Sequence, residues 1–149
     1  MAEYLANAEQ DVNLNAPVLF TSSIPCRKGY IIHENDTGIF ILRGITDNCF
    51  ARYQVIFNAN IALPAGATVG AIAVAITVNG EPRATSRAIF TPAAVDTFGN
   101  VTSTAIITVP KGCCFTVAVE AVPATSDPAV VPAPVITVQN ANLTINRIA

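Results

Sequence analysis

The sequence predicts an all-β fold, a sandwich or barrel of short antiparallel strands. Runs rich in β-branched residues recur along the chain, and clusters of Gly, Pro, Asn and Asp separate them. No stretch keeps a helical period for more than a turn or two. Charged residues make up only 12 % of the 149 residues, against about 25 % in an average protein. We therefore expect other subunits to cover part of the surface.

The predicted strands are these β-branched runs, and the predicted turns are the polar clusters between them. Residues 33–38 (HENDTG) and 78–82 (VNGEP) predict tight turns, because Asn, Asp and Gly provide turn geometry and tolerate positive φ. In chain order the runs are PVLF at 17–20, GYIIH at 29–33, GIFILRG at 38–44, CFARYQVIFNANIAL at 49–63, VGAIAVAITV at 69–78, RAIF at 87–90, VTSTAIITV at 101–109, CFTVAVEAV at 114–122, PVITV at 134–138 and NLTINRIA at 142–149.

One face of the VGAIAVAITV run is smooth and uncharged, and this predicts a subunit interface. Ala71, Ala73 and Ala75 alternate with large apolar residues, so the small side chains share one face of the strand. A face of Ala and Thr suits the close approach of another sheet or subunit, or of a loop of the same chain. We assign these alanines to the interface, together with Arg52 and Tyr53 of the FARYQVIF run.

Two segments are expected to lie outside the regular sandwich. Residues 1–16 are polar and lack strand alternation, which predicts an arm that anchors a domain formed by residues 17–149. Residues 122–134 are rich in proline, which predicts an extended loop with Val130 and Val131 exposed, either as a contact or as a simple surface loop. The arm residues expected to make anchoring contacts are Tyr4, Leu5, Val12 and Leu14.

Charge and hydropathy argue against nucleic acid and membranes as partners. The net charge is −2 and the eight Lys and Arg residues are scattered, so no basic stripe exists to follow a phosphate backbone. Residues 61–78 are uncharged, but Pro and Gly interrupt them and the second half alternates as a strand does. The N-terminus has no basic and apolar regions of a Sec signal, so we expect synthesis in the cytoplasm.

No pattern in the sequence indicates an enzyme, a cofactor or a metal. The single histidine, His33, is followed by Glu34 and Asp36, but these residues fall in a predicted turn and lack the spacing of a calcium loop. Phosphate-binding glycine loops and HExxH motifs are absent from the sequence. We therefore expect no catalytic, cofactor-binding or metal-binding residues.

The four cysteines are expected to have a structural role. Their spacing does not match a zinc site, and the single histidine is not near any of them in sequence. Strand directions predict that three of the cysteines gather at one end of the sandwich, where the adjacent pair Cys113 and Cys114 faces opposite sides. The alternatives are disulfides within or between subunits, and reduced thiols that pack as small apolar groups. The possible disulfide residues are Cys26, Cys49, Cys113 and Cys114.

Several segments together resemble a group of short proteins encoded in phages, prophages and spore-forming or gut-dwelling bacteria. They also resemble, more loosely, the C-terminal domain of collagen-like spore-surface proteins of the BclA type, although this chain has no Gly-X-Y repeat. The matching segments include IPCRKGYIIHENDTGIFILRG, CFARYQVIFNANIALPAGATVGAIAVAITVNGEP, VPKGCCFTVAVE and VQNANLTINRIA.

The resemblance implies a jelly-roll subunit of the TNF and C1q type that assembles as a homotrimer. It further implies a virion structural protein, a decoration or head-fibre protein on the outer surface of a phage capsid, with the major capsid protein as partner and residues 1–16 as the anchor. The alternatives are a receptor- or glycan-binding trimeric module, for which a host-surface glycan would be the ligand, and a structural protein of a spore or cell surface.

Overall fold

The computed structural model describes residues 1–24 and 29–149, whose regular structure consists almost entirely of β-strands. The strands are β1 (Ala2–Ala6), β2 (Gln10–Asn13), β3 (Ser22–Ile24), β4 (Ile31–His33), β5 (Phe40–Arg43), β6 (Phe50–Ala62), β7 (Ile72–Val78), β8 (Glu81–Pro82), β9 (Ala88–Phe90), β10 (Gly99–Pro110), β11 (Cys114–Val122) and β12 (Val135–Arg147), and a short 3-10 helix spans Ala84–Ser86.

The strands form two antiparallel sheets, which confirms the predicted all-β sandwich. Sheet A has the order β10-β6-β12-β1-β3, and β2 pairs antiparallel with the first residues of β12. Sheet B has the order β4-β5-β11-β7-β8, and β9 pairs with β7. Consecutive long strands alternate between the two sheets, since β6 and β10 belong to sheet A while β7 and β11 belong to sheet B. This arrangement is a jelly roll.

The core lies between the sheets because each long strand turns alternate residues inward. In β10 the burial alternates strictly from Val101 to Pro110, as period-two geometry requires. Aromatic rings fill the region beneath β1, β4 and β5. Phe20, Phe40 and Phe57 are fully buried there and meet edge to face, with centroids 5.5 Å and 6.5 Å apart.

The two ends of the sandwich differ in which chain segments they carry, and we call them the base and the tip. The base carries the start of β1, the start of β6, the β10–β11 turn and the end of β12. The tip carries the β6–β7, β9–β10 and β11–β12 loops. These connections pass from one sheet to the other, so they close both ends of the core.

The N-terminal segment is part of sheet A, unlike the arm expected from its polar sequence. Strand β1 pairs with β12 along its whole length, and Tyr4 and Val12 are each only 3 % exposed. Their side chains therefore pack inside their own subunit and cannot serve as anchors. Leu5 and Leu14 are half-buried, and their part in anchoring stays a prediction. Polar residues alternate here with Ala, Tyr and Val, so one strand face is apolar although the segment is polar on average.

Two further differences concern strand continuity. The PVLF run forms no strand: Pro17 and Phe20 make only isolated bridges, while Val18 and Phe20 are fully buried. The PVITV and NLTINRIA runs belong to one strand, β12, in which the register shifts between Gln139 and Asn142. Asn140 adopts a φ of 53° at this bulge, so an apparent interruption in the sequence is a local kink.

Candidate subunit interface and surface sites

The outward side of sheet A, which we call the A face, is a broad surface of amide, hydroxyl and isoleucine side chains. It is formed by the residues of β10, β6, β12 and β1 that alternate with the core residues. Cross-strand register places them in rows, such as Thr104 beside Ile56 and Ile56 beside Thr144. The A face comprises Glu3, Leu5, Phe50, Arg52, Gln54, Ile56, Asn58, Asn60, Asn100, Thr102, Thr104, Ile106, Thr108, Gln139, Asn142, Thr144 and Asn146.

Hydrogen bonds between side chains hold the amides of the A face in place. The Asn58 Nδ2 donates to Asn100 Oδ1 at 3.0 Å and to Thr102 Oγ1 at 2.8 Å. The Asn100 Nδ2 donates to Asn60 Oδ1 at 3.1 Å. On the same face, between β12 and β1, the Asn142 Nδ2 donates to Glu3 Oε1 at 2.5 Å. Because these groups already bond one another, the surface has fewer unpaired groups to desolvate when it is covered.

Charge depletion makes the A face suited to protein contact. The charged groups within it, Glu3 and Arg52, lie on β1 and at the start of β6, away from its centre. Ile106 is 53 % exposed, and Phe50 is 38 % exposed. Depletion of charge with retained apolar groups is the compositional signal of an interface core. A solvated sheet face would instead carry several Lys and Glu side chains.

The predicted interface residues are distributed over three different environments. Arg52 lies on the A face, where its guanidinium carbon is 4.8 Å from the Phe50 ring centroid. Tyr53 is fully buried in the core, and its hydroxyl donates to the Arg43 carbonyl at 2.5 Å. Ala73 and Ala75 are each 1 % exposed, whereas Ala71 is exposed.

Three of these assignments are corrected by burial within the subunit. Ala73 and Ala75 lie on the outer side of sheet B, where they pack with Val122 and Ala124 of the same chain. Because these alanines and Tyr53 have almost no exposed surface in the isolated subunit, they have nothing left to bury against a partner. The alanine face is therefore covered by residues of its own chain, which was the alternative to a subunit interface. The roles of Ala71 and Arg52 stay predictions.

Sheet B carries one carboxyl group with an altered affinity for protons. Glu120 lies beside Ala75 in the register of β11 and β7. Partial burial raises the pKa of the Glu120 carboxyl above its ordinary value, and a hydrogen bond from Thr77 opposes that shift. Because burial disfavours the charged form, ionised Glu120 destabilises the fold at neutral pH. This destabilisation is lost as the pH falls through the raised pKa, because the protonated carboxyl carries no charge.

Among the residues that the structure describes, three free thiols lie at the base. Cys49 precedes β6, and Cys113 and Cys114 stand at the start of β11; all three are exposed. The Lys111 N–H donates to the Cys49 carbonyl at 2.9 Å, which joins the β10–β11 turn to the loop before β6. The structure thus brings together three of the predicted disulfide residues without bonding them. Cys26 lies outside the described residues, and the pairing of these thiols under oxidising conditions stays a prediction.

The base also carries a polar hollow of about 380 Å³. The Arg147 guanidinium lies over the Tyr30 ring, 4.0 Å from its centroid, and its Nη1 is buried with no hydrogen-bond partner among residues 1–24 and 29–149. The loop before β6 completes the wall with Ile45, Thr46, Asp47 and Asn48. This hollow combines an aromatic ring, a cation and several hydrogen-bonding groups.

The residues around His33 form a structural cluster. The His33 ring stacks on Phe40 with centroids 4.3 Å apart, and its Nε2 lies 3.0 Å from the Thr37 carbonyl. Glu34 and Asp36 are exposed on the β4–β5 turn. Within residues 1–24 and 29–149, no three His, Cys, Asp or Glu side chains converge as metal ligands would. That part of the chain also contains no helix of sufficient length and apolarity to cross a membrane.

The amide network was missed by sequence reasoning, although a signal for it exists. The segment FNANIAL alternates apolar residues with Asn58 and Asn60, and VTSTAIITV alternates them with Thr102 and Thr104. Each segment alone predicts an ordinary half-buried strand. Their combination into one uncharged face depends on the pairing of β6 with β10 and β12, which are distant in sequence.

Comparisons with known proteins match structures and not sequences. No family model matches the chain, and a search of curated proteins finds no match either. The globular domain of zebrafish complement 1qA protein aligns with a TM-score of 0.58 at 15 % identity, over 95 % of this chain and 92 % of that one. Eiger TNF from S. frugiperda aligns with a TM-score of 0.61 at 9 % identity, over 100 % and 92 %.

Murine APRIL gives a third alignment, with a TM-score of 0.51 at 11 % identity over 96 % of this chain and 97 % of that chain. At such low identities the likeness concerns the fold alone. The chain therefore has the TNF- and C1q-like jelly-roll fold that the resemblance implied.

Proposed function

We propose that this chain is a non-catalytic structural subunit that forms a homotrimer through the A face. The observation that carries the proposal is the charge-depleted centre of that face, where Asn58 bonds Asn100 and Thr102 next to Ile56. A domain of this size with 12 % charged residues gains solubility when such a face is covered. The TNF- and C1q-like fold agrees with a trimer, because assembly as a trimer is typical of that fold.

The trimer is tested by a charge placed on the A face. Ile106→Lys places an ammonium group at a side chain that is 53 % exposed in the subunit, so the subunit itself should fold normally. Burying this unpaired charge in an interface would be costly, and we expect the trimer to dissociate to monomers at micromolar concentration. Sedimentation equilibrium of the wild type and the variant gives the masses.

Ile89→Lys is the matched control, because Ile89 is 55 % exposed on β9 of sheet B. It should leave the oligomeric state unchanged. A wild-type chain that is monomeric at high concentration would overturn the proposed assembly. A trimer that survives Ile106→Lys but not Ile89→Lys would move the interface to sheet B.

The finer function we propose is a phage decoration or head-fibre protein on the outside of a capsid. Support comes from the sequence resemblance to short phage and prophage proteins and from a compact trimer-forming fold. Since Tyr4 and Val12 belong to the core, the contact with the major capsid protein would be made by other groups of the subunit, with Leu5 and Leu14 as the remaining predicted anchors. The localisation that follows is the outer surface of the virion.

A receptor- or glycan-binding trimer is the second candidate, and the polar hollow beside Tyr30 favours it. Its aromatic ring, Arg147, Asp47 and Asn48 are groups that commonly bind sugars. A spore- or cell-surface structural protein is the remaining alternative.

Mass spectrometry of density-purified phage particles distinguishes these functions. Peptides of this chain at capsid-like stoichiometry would support the decoration role. Enrichment on spores or in the soluble fraction, with none in particles, would exclude that role. Binding of the soluble trimer to a glycan array, abolished by Asp47→Ala, would then favour the second candidate.

A further inference from the structure

A cavity of about 610 Å³ opens at the tip, on the opposite end of the sandwich from the polar hollow. It lies between residues 63–71, which connect β6 to β7, and residues 123–134, which connect β11 to β12. Both connections cross from one sheet to the other at this end, so they run side by side. The volume falls within the range of about 300–1,000 Å³ that is usual for small-molecule sites.

In the part of the chain that the structure describes, the cavity wall is apolar and carries no charged side chain. Its lining consists of Ala, Pro, Val and Gly residues, with Thr68 and Thr125 as the side chains that carry a polar atom. Val69 is 50 % exposed, Val130 is 51 % exposed and Val131 is 89 % exposed. Surface loops are normally polar, so an exposed apolar patch confined to two facing loops indicates a contact that covers it.

The walls are stiff and are fixed to the rest of the fold. Prolines at 64, 123, 132 and 134 restrict the backbone of both loops. The Leu14 N–H donates to the Pro134 carbonyl at 2.9 Å, and the Asp96 N–H donates to the Leu63 carbonyl at 2.8 Å. Ala124 packs on the alanines of β7. A preformed wall of this kind costs little conformational entropy when a ligand binds.

We propose that the tip cavity binds a small, uncharged, largely apolar molecule. The absence of charge in the lining matches a neutral ligand, and the volume matches one compact molecule. The cavity is separate from the A face, so the proposal does not depend on the trimer or on attachment to a capsid.

The neutral dye N-phenyl-1-naphthylamine tests the proposal with the full chain. The chain contains no tryptophan, so the dye emission is measured with little background from the protein. We expect saturable binding with one site per subunit. Val69→Asp introduces a charge into the wall at a half-exposed position, and it should weaken binding at least tenfold. Ile39→Asp is the matched control, since Ile39 is 53 % exposed away from the cavity, and it should bind as the wild type does.

Circular dichroism establishes that both variants are folded before dye is added, and Val131→Lys provides a second wall variant at a position that is 89 % exposed. Absence of saturable binding to the wild type would overturn the proposal. Equal binding by Val69→Asp, Val131→Lys and the wild type would also overturn it, because the dye would then lie elsewhere. If either wall variant instead changes the sedimentation mass, the cavity holds a second copy of the chain and not a small molecule.

Discussion

Tyr4→Ala is expected to lower the free energy of unfolding by about 3–5 kcal/mol, the usual cost of removing a buried aromatic ring. The Tyr4 ring is 3 % exposed, and its centroid lies 4.5 Å from that of Phe40 and 4.8 Å from that of His33. Truncation would open a cavity between β1 and sheet B that these rings cannot fill. Urea denaturation followed by circular dichroism, at a fixed subunit concentration, measures the change.

Two variants control this experiment. Tyr4→Phe keeps the ring and should retain most of the stability. Leu5→Ala alters the neighbouring residue, which faces the opposite side of the same strand and is half-buried, so its cost should be clearly smaller. If Tyr4→Ala lowers the free energy of unfolding no more than Leu5→Ala does, the placement of the N-terminal segment in the sandwich is contradicted. The segment would then be a free arm, as its polar sequence predicts.

Gly44→Ala is expected to cost at least about 3 kcal/mol, because overpacking against rigid backbone cannot relax. A Cβ at Gly44 would overlap the carbonyl oxygen of Pro110. The Gly44 N–H donates to the Cys113 carbonyl at 2.8 Å, and its own carbonyl accepts from the Gly112 N–H at 3.0 Å. These bonds join the end of β5 to the β10–β11 turn, so relief of the overlap would break them.

Thermal unfolding by circular dichroism tests this expectation, with Gly70→Ala as the matched control. A Cβ at Gly70 meets nothing within 4 Å, so that variant should change stability by less than about 1 kcal/mol. Equal melting temperatures for the two variants would mean that the turn beside Cys113 shifts to accommodate a side chain. The backbone at the base would then be more flexible than its hydrogen bonds indicate.

The fold class follows from local patterns that need no knowledge of distant contacts. Period-two alternation over VTSTAIITV predicts β10, and the Asn79–Gly80 pair predicts the β7–β8 turn, where both residues adopt positive φ in the structure. These features arise from backbone sterics and side-chain alternation within a few residues. The all-β sandwich could therefore be predicted from residues that are neighbours along the chain.

The surfaces of the molecule could not be predicted in the same way. Whether Ala73 faces solvent, a partner or its own chain depends on Val122 and Ala124, which lie about fifty residues further along the sequence. The N-terminal segment looked like an arm because its average polarity conceals one apolar face, and only pairing with β12 gives that face a core to enter.

Features encoded by neighbouring residues therefore differ from features formed by residues that are distant in the sequence. Strand and turn identity is encoded locally, so the amino-acid sequence was sufficient for the fold class, the low surface charge and the expectation of covered surface. The A face and the tip cavity each combine segments that are far apart in the chain. Long-range pairing of strands places those segments together, and no local pattern reports which strands will pair.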